Sequence, residues 1–131
     1  IKLLDGVQNL QNLRSLNLSQ NFIENLEMLA QLTEIENLYL SSNKIKSIVQ
    51  LSSLKKLTKL NLMNNQISDI KPLKYLTQIK NLHLGKNLIK DFSPLFDLQE
   101  LENLYIDNNV SLEAKQLLKE KLPNCEIAYI R

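Results

Sequence analysis

Leu57-Thr58-Lys59-Leu60-Asn61-Leu62-Met63-Asn64-Asn65 is the stretch that decides the fold. Leu60 and Leu62 alternate with Lys59, Asn61 and Met63, the period of a strand with one buried and one wet face. Asn65 stands where such a strand must turn. The frame L-x-x-L-x-L-x-x-N then recurs in both directions with a period of 22 residues. Upstream it reads Leu13, Leu16, Leu18, Asn21 and Ile35, Leu38, Leu40, Asn43; downstream, Ile79, Leu82, Leu84, Asn87 and Leu101, Leu104, Ile106, Asn109.

Beyond each of the first four asparagines the apolar residues keep fixed offsets. The unit after Asn65 carries Ile67, Ile70, Leu73 and Leu76, and the unit after Asn21 carries Ile23, Leu26, Leu29 and Leu32. These gaps are too short for a long amphipathic helix, so extended or 3₁₀ turns are expected there. One such unit cannot bury its own leucines, whereas stacked units share a continuous aliphatic core. The spacing therefore predicts a solenoid with a parallel sheet on one side. Asn21, Asn43, Asn65, Asn87 and Asn109 are expected to form a structural ladder, because a carboxamide both donates and accepts where the turn removes backbone groups from the sheet.

Both ends depart from the frame. Ile1, Leu4, Val7 and Leu10 occupy the post-asparagine positions of an earlier unit, so the first repeat is expected to be incomplete. Residues 1–110 are read as repeats and 111–131 as a closing cap. Ser111 is a good N-cap, Glu113 suits the first turn of a helix, and Pro123 ends it. Leu117, Leu118 and Leu122 are expected to face the last turn of the solenoid. Leu122, Cys125 and Ile127 repeat the strand frame, which predicts a sixth strand with Cys125 and Ile127 pointing inward.

The pattern resembles the leucine-rich-repeat superfamily over essentially the whole chain. Its period is similar to that of bacterial internalins and of the leucine-rich regulatory subunit of type 1 phosphatase. Ile67-Ser68-Asp69-Ile70-Lys71-Pro72-Leu73 and Asp91-Phe92-Ser93-Pro94-Leu95 look especially internalin-like. The resemblance implies an α/β solenoid: a right-handed horseshoe with a concave parallel sheet of about six strands, 3₁₀ or extended convex turns, and a C-terminal capping helix and strand. The internalin N-terminal cap is missing from the pattern. The resemblance leans bacterial, and both a cell-surface or secreted and a cytoplasmic location stay open.

Composition narrows the function. The chain has 131 residues with 16 Lys plus Arg against 14 Asp plus Glu, and a net charge of +2 gives no reason to expect a nucleic-acid partner. No apolar run is long enough for membrane insertion. His83 and Cys125 are single examples of their kinds, which leaves no zinc cluster, no multi-histidine metal site and no intramolecular disulfide. Gly6 and Gly85 belong to no phosphate-cradling loop. No catalytic constellation, metal site or cofactor is expected, and the chain is read as a non-enzyme. Asn17-Leu18-Ser19 and Asn109-Val110-Ser111 match the glycosylation pattern, read as accidental at Asn109 because of the ladder.

Function is then expected on a surface. The outward strand residues form three columns: Ser15, Asn37, Lys59, Asn81, Asn103; Asn17, Tyr39, Asn61, His83, Tyr105; and Ser19, Ser41, Met63, Gly85, Asp107. Asn17, Tyr39, Asn61, Met63, His83, Tyr105 and Asp107 are the candidate partner-binding residues. Tyrosine supplies large area with a polar tip, which interfaces favour as an anchor. The expected role is a monomeric protein-interaction module gripping another protein across the concave face. A rigid spacer or assembly scaffold within a larger surface or adaptor protein is the alternative. Phe22, Leu88 and Phe96 are a weaker candidate patch on one flank, and Lys44, Lys46, Lys55, Lys56 and Lys59 read as part of a solvated mixed-charge surface.

Overall fold

The computed structural model of the chain describes residues 6–131. Six strands run in parallel in one sheet, in chain order. They are β1 (Ser15–Asn17), β2 (Asn37–Tyr39), β3 (Lys59–Asn61), β4 (Asn81–His83), β5 (Asn103–Asp107) and β6 (Glu126–Ile130). Among the described residues a single α-helix, α1 (Leu112–Lys121), precedes β6. On the other side of the core the chain makes 3₁₀ turns at Val7–Asn9, Glu27–Gln31, Val49–Ser53, Lys71–Tyr75 and Ser93–Leu95. The four later turns carry Leu29, Leu51, Leu73 and Leu95 into the core.

Register follows the repeat. Leu16 stands opposite Leu38, Leu38 opposite Leu60, Leu60 opposite Leu82 and Leu82 opposite Leu104. This alignment stacks like residue on like. The seven apolar positions of the third unit, Leu57, Leu60, Leu62, Ile67, Ile70, Leu73 and Leu76, are each at most 1% exposed. Each such side chain contributes roughly 1.5–3 kcal/mol of burial. The first unit is less covered: Leu13 and Leu16 are only half-buried and Leu10 is exposed. Ile1 and Leu4, expected to belong to an earlier unit, lie outside the described residues.

The turns after the strands have a device that residue type does not announce. Gln20, Ser42, Asn64 and Lys86 all sit in the left-handed region, with φ of 58°, 57°, 58° and 55°. For a residue other than glycine or asparagine this costs about 1–2 kcal/mol. The compensation is inter-repeat bonding. The Gln20, Ser42 and Asn64 amides donate to the Ser41, Met63 and Gly85 carbonyls of the next repeat. The reversal also turns the following asparagine into the core. The 3₁₀ turns have their own caps: Asn25, Asp69 and Asp91 each accept from the backbone amide two residues on.

Two expectations about the closing segment need correction. The β5–β6 register pairs Leu104 with Ile127 and Ile106 with Tyr129. The step is thus 23 residues (127 − 104), where the frame Leu122-x-x-Cys125-x-Ile127 had required 21. Cys125 therefore lies before the strand, half-buried, and Tyr129 takes the inward position assigned to Ile127. The helix and its turn lengthened the connection, so the repeat spacing no longer applied. Leu118 and Leu122 pack in the core as expected, but Leu117 is exposed. Ser111 does cap the helix, its hydroxyl accepting from the Ala114 amide at 3.1 Å.

Candidate functional site: the concave face

A ladder of carboxamides holds the face in register. Asn65 Oδ1 accepts from the Ile45 amide at 3.0 Å, while its Nδ2 donates to the Leu40 carbonyl at 3.0 Å and the Leu62 carbonyl at 3.1 Å. Asn43 bridges Ile23, Leu18 and Leu40 in the same way, and Asn87 bridges Ile67, Leu62 and Leu84. Asn21 donates to the Leu18 and Ser19 carbonyls of its own turn. Asn109, expected as the fifth rung, is exposed and makes no rung bond among the described residues. The chain leaves the repeat geometry at Asn108 to enter α1, and no left-handed residue precedes Asn109 to turn it inward.

The outward columns lie on this scaffold. His83 and Tyr105, neighbours in the second column, stack with ring centroids 3.8 Å apart and planes within 16°. Tyr39 lies two strands away on the other side of Asn61. The four, together with Lys59 and Asn81 of the first column, line a shallow hollow of about 240 Å³ whose floor is Leu60. Partial burial presses His83 below its ordinary pKa, because burial penalises the charged imidazolium. The ring is therefore a neutral donor–acceptor at neutral pH.

The asparagines are oriented as well. Asn61 Oδ1 accepts from the Met63 amide and Asn17 Oδ1 accepts from the Ser19 amide, both at 3.0 Å. Each bond fixes the carboxamide through its oxygen and leaves the N–H donors without a partner among the described residues. Asn103 Nδ2 donates to Asn81 Oδ1 at 2.7 Å, forming a side-chain bridge between β5 and β4.

Not every candidate joins this cluster. Asn17 sits on the exposed β1 edge, and Met63 stands in the third column outside the hollow. Asp107 is committed to the fold: its Oδ1 accepts from the Lys86 amide at 2.7 Å, where the preceding repeats use a backbone carbonyl. Lys59 and Asn81 were visible as outward residues but only the geometry places them in the hollow wall. Glu126, Ala128 and Ile130 extend the columns onto β6 and were hidden by the altered register. Ile130 reaches across Asp107 to cover Gly85, which is buried beneath it.

The weaker flank patch does not form. Phe22 and Leu88 are exposed, but Lys44 and Gln66 occupy the same flank position in the repeats between them. Lys44 lies 5.3 Å from the Phe22 ring centre. On the convex side Lys56 pairs with Glu34 at 2.7 Å, and Lys55 sits 4.8 Å from the centre of the Tyr75 ring. Among the described residues no group of three or more His, Cys, Asp or Glu is placed to hold a metal ion. No described helix is long and apolar enough to cross a membrane.

Parallel strands in register, 3₁₀ convex turns and an asparagine ladder define a leucine-rich-repeat solenoid. The family described as leucine-rich repeats in two copies matches residues 33–75. Among solved structures, a leucine-rich-repeat protein of Leptospira interrogans superposes with a TM-score of 0.89 at 30% identity, covering 98% of this chain and 34% of that one. The internalin InlF of Listeria monocytogenes gives a TM-score of 0.77 at 30% identity, covering 98% of this chain and 44% of that one. Internalin C2 of the same organism gives 0.67 at 30% identity, with 97% and 65% covered. The chain thus spans between about a third and two thirds of the length of these structures. No curated protein matches the sequence. The chain thus carries leucine-rich repeats and folds as that superfamily does, and its repeats are internalin-like.

Proposed function

We propose that the chain is a non-catalytic protein-interaction module that binds a partner protein across the concave face, centred on the hollow between Tyr39 and the His83–Tyr105 stack. The observation that carries this reading is the stack itself. Two aromatic rings from adjacent strands pack together on the outer face of the sheet, rather than in the aliphatic core, beside a third aromatic and oriented carboxamides. Such a centre, apolar with a polar surround, has the anatomy of an interface hot spot. Six strands offering three outward residues each approach the roughly 20–30 residues per side of an ordinary interface.

The test is the triple variant Tyr39→Ala, His83→Ala, Tyr105→Ala, carried in the intact chain. All three residues are outside the core, so thermal unfolding is expected to move little while partner binding is lost. Retained binding by a folded triple variant refutes the assignment of the face. The spacer alternative has less support, since a passive spacer needs no aligned aromatic column.

A further inference from the structure

The break in the ladder at Asn109 leaves a second feature on the flank of the solenoid. In three successive repeats the residue two beyond the rung asparagine is bonded twice to the next repeat. The Ile23, Ile45 and Ile67 amides donate to Asn43, Asn65 and Asn87, each at 3.0 Å. Their carbonyls accept from the amides of Lys44, Gln66 and Leu88 at 2.9, 2.9 and 2.8 Å. Ile89 is the fourth member of this series. Asn109 is turned out to solvent and the Val110 amide bonds back to Asp107, so neither the N–H nor the C=O of Ile89 has a partner among the described residues.

A hollow of about 430 Å³ lies over Ile89, between the fourth repeat and the cap. It does not stand alone. Through Asn87, Asp107 and Asn109 it shares a wall with a hollow of about 460 Å³ beside β6, and through Lys90, Phe92 and Ser111 with one of about 240 Å³ beside α1. Together they make a furrow along the junction. Leu88 and Leu117, both exposed, supply apolar wall at its middle and its helix end. Around the middle and strand-side hollows the charged groups are Lys86, Lys90 and Arg131 against Asp107, while the helix-side hollow adds Asp91 and Glu113. One oxygen of that aspartate is already bonded to the Lys86 amide.

We propose that this furrow is a second protein-binding site, which takes an extended peptide segment of a partner, acidic at its strand-side end, through backbone pairing with Ile89. A donor and an acceptor on one residue are matched by the C=O and N–H of one residue of an antiparallel extended chain, and the preceding repeats satisfy the same pair with a carboxamide and a backbone amide. An extended chain pairs through alternate residues, so its intervening side chains reach the apolar walls. The excess of cations at the strand side favours aspartate or glutamate on that side of the paired residue, while Asp91 and Glu113 disfavour them at the helix end. The site borders the concave face at Asp107 and Ile130 but shares no residue with the Tyr39–His83–Tyr105 hollow, and it stands or falls independently of that hollow.

Amide hydrogen exchange and a peptide titration followed by NMR test the proposal on the intact chain. The Ile89 amide should exchange much faster than those of Ile45 and Ile67. A capped valine-rich peptide with aspartates on one side of its centre only, at millimolar concentration, should shift the resonances of Leu88, Ile89, Lys90 and Val110 and slow Ile89 exchange. Two versions N-methylated at odd or at even amides should then differ. One should bind like the parent and the other about fivefold or more weakly, the weight of one lost hydrogen bond. Slow exchange at Ile89 without peptide overturns the proposal. So does the absence of shifts, shifts confined to the Tyr39–His83–Tyr105 column, or identical binding by the two methylated versions.

Discussion

Replacing Asn65 by alanine removes one rung of the ladder and leaves its partners in place. The Ile45 amide and the Leu40 and Leu62 carbonyls lose bonds of 3.0, 3.0 and 3.1 Å. Asn65 is only 8% exposed, so water reaches these groups poorly. The Ile45 amide is left without a partner, which costs about 1–3 kcal/mol, whereas the Leu40 and Leu62 carbonyls keep Asn43 and Asn87 and each lose one bond of about 0.5–1.5 kcal/mol, so the low ends give about 2 kcal/mol. Against a domain stability of about 5–15 kcal/mol that is a large fraction. It corresponds to a fall in Tm of about 7 °C for a chain of this size. Asn109→Ala is the internal control, since Asn109 is exposed and outside the ladder; its effect should stay within about 0.5 kcal/mol. N65D sharpens the test, because a carboxylate keeps the Ile45 bond yet faces two carbonyls as a third acceptor. Its folded pKa is then raised above the unfolded value, so the variant regains stability as pH falls through the folded pKa and loses it as pH rises. Urea unfolding of the four proteins across pH reads all of this. Equal losses for Asn65→Ala and Asn109→Ala, or an N65D variant insensitive to pH, would refute the ladder argument.

Other outcomes follow from the same geometry. Burial depresses the folded pKa of His83, so its unfolded form binds more protons between that value and roughly 6.5. Stability should rise with pH through this window, and His83→Gln should flatten the rise; a pH series of unfolding midpoints checks it. Burial and the nearby Glu126 push the Cys125 thiol up to about 11, so iodoacetamide at neutral pH should label the native chain far more slowly than the urea-unfolded chain. Comparable labelling rates would contradict the placement. Lys86→Gly should stabilise by about 0.5–1 kcal/mol, because glycine relieves the left-handed φ at a partly offsetting entropic cost. A destabilised variant would show that the turn is not strained there.

The repeat was legible in the sequence because its signal is redundant. A strand with alternate leucines and an asparagine at a fixed offset can be read five times, and a shared core demands that every copy adopt one geometry. The outward columns followed from strand parity alone. What could not be read lies where that redundancy stops. The left-handed turn falls on Gln20, Ser42, Asn64 and Lys86, four residue types with no common preference for positive φ, so only inter-repeat bonding makes it visible. The sixth strand slid by two residues because a helix, not a repeat, sets the length before it. Asn109 kept the spacing of a rung without its conformation. The stacking of His83 on Tyr105 depends on side-chain rotation, which column membership does not determine.

The central claim is that a partner lies across the concave strands. A photo-crosslinking amino acid placed at Asn61, in the middle of the hollow, and separately at Val49, exposed on the convex turn, measures it directly. The account predicts that the Asn61 position traps the bound partner while the Val49 position does not. Efficient trapping from Val49 with none from Asn61 would contradict it.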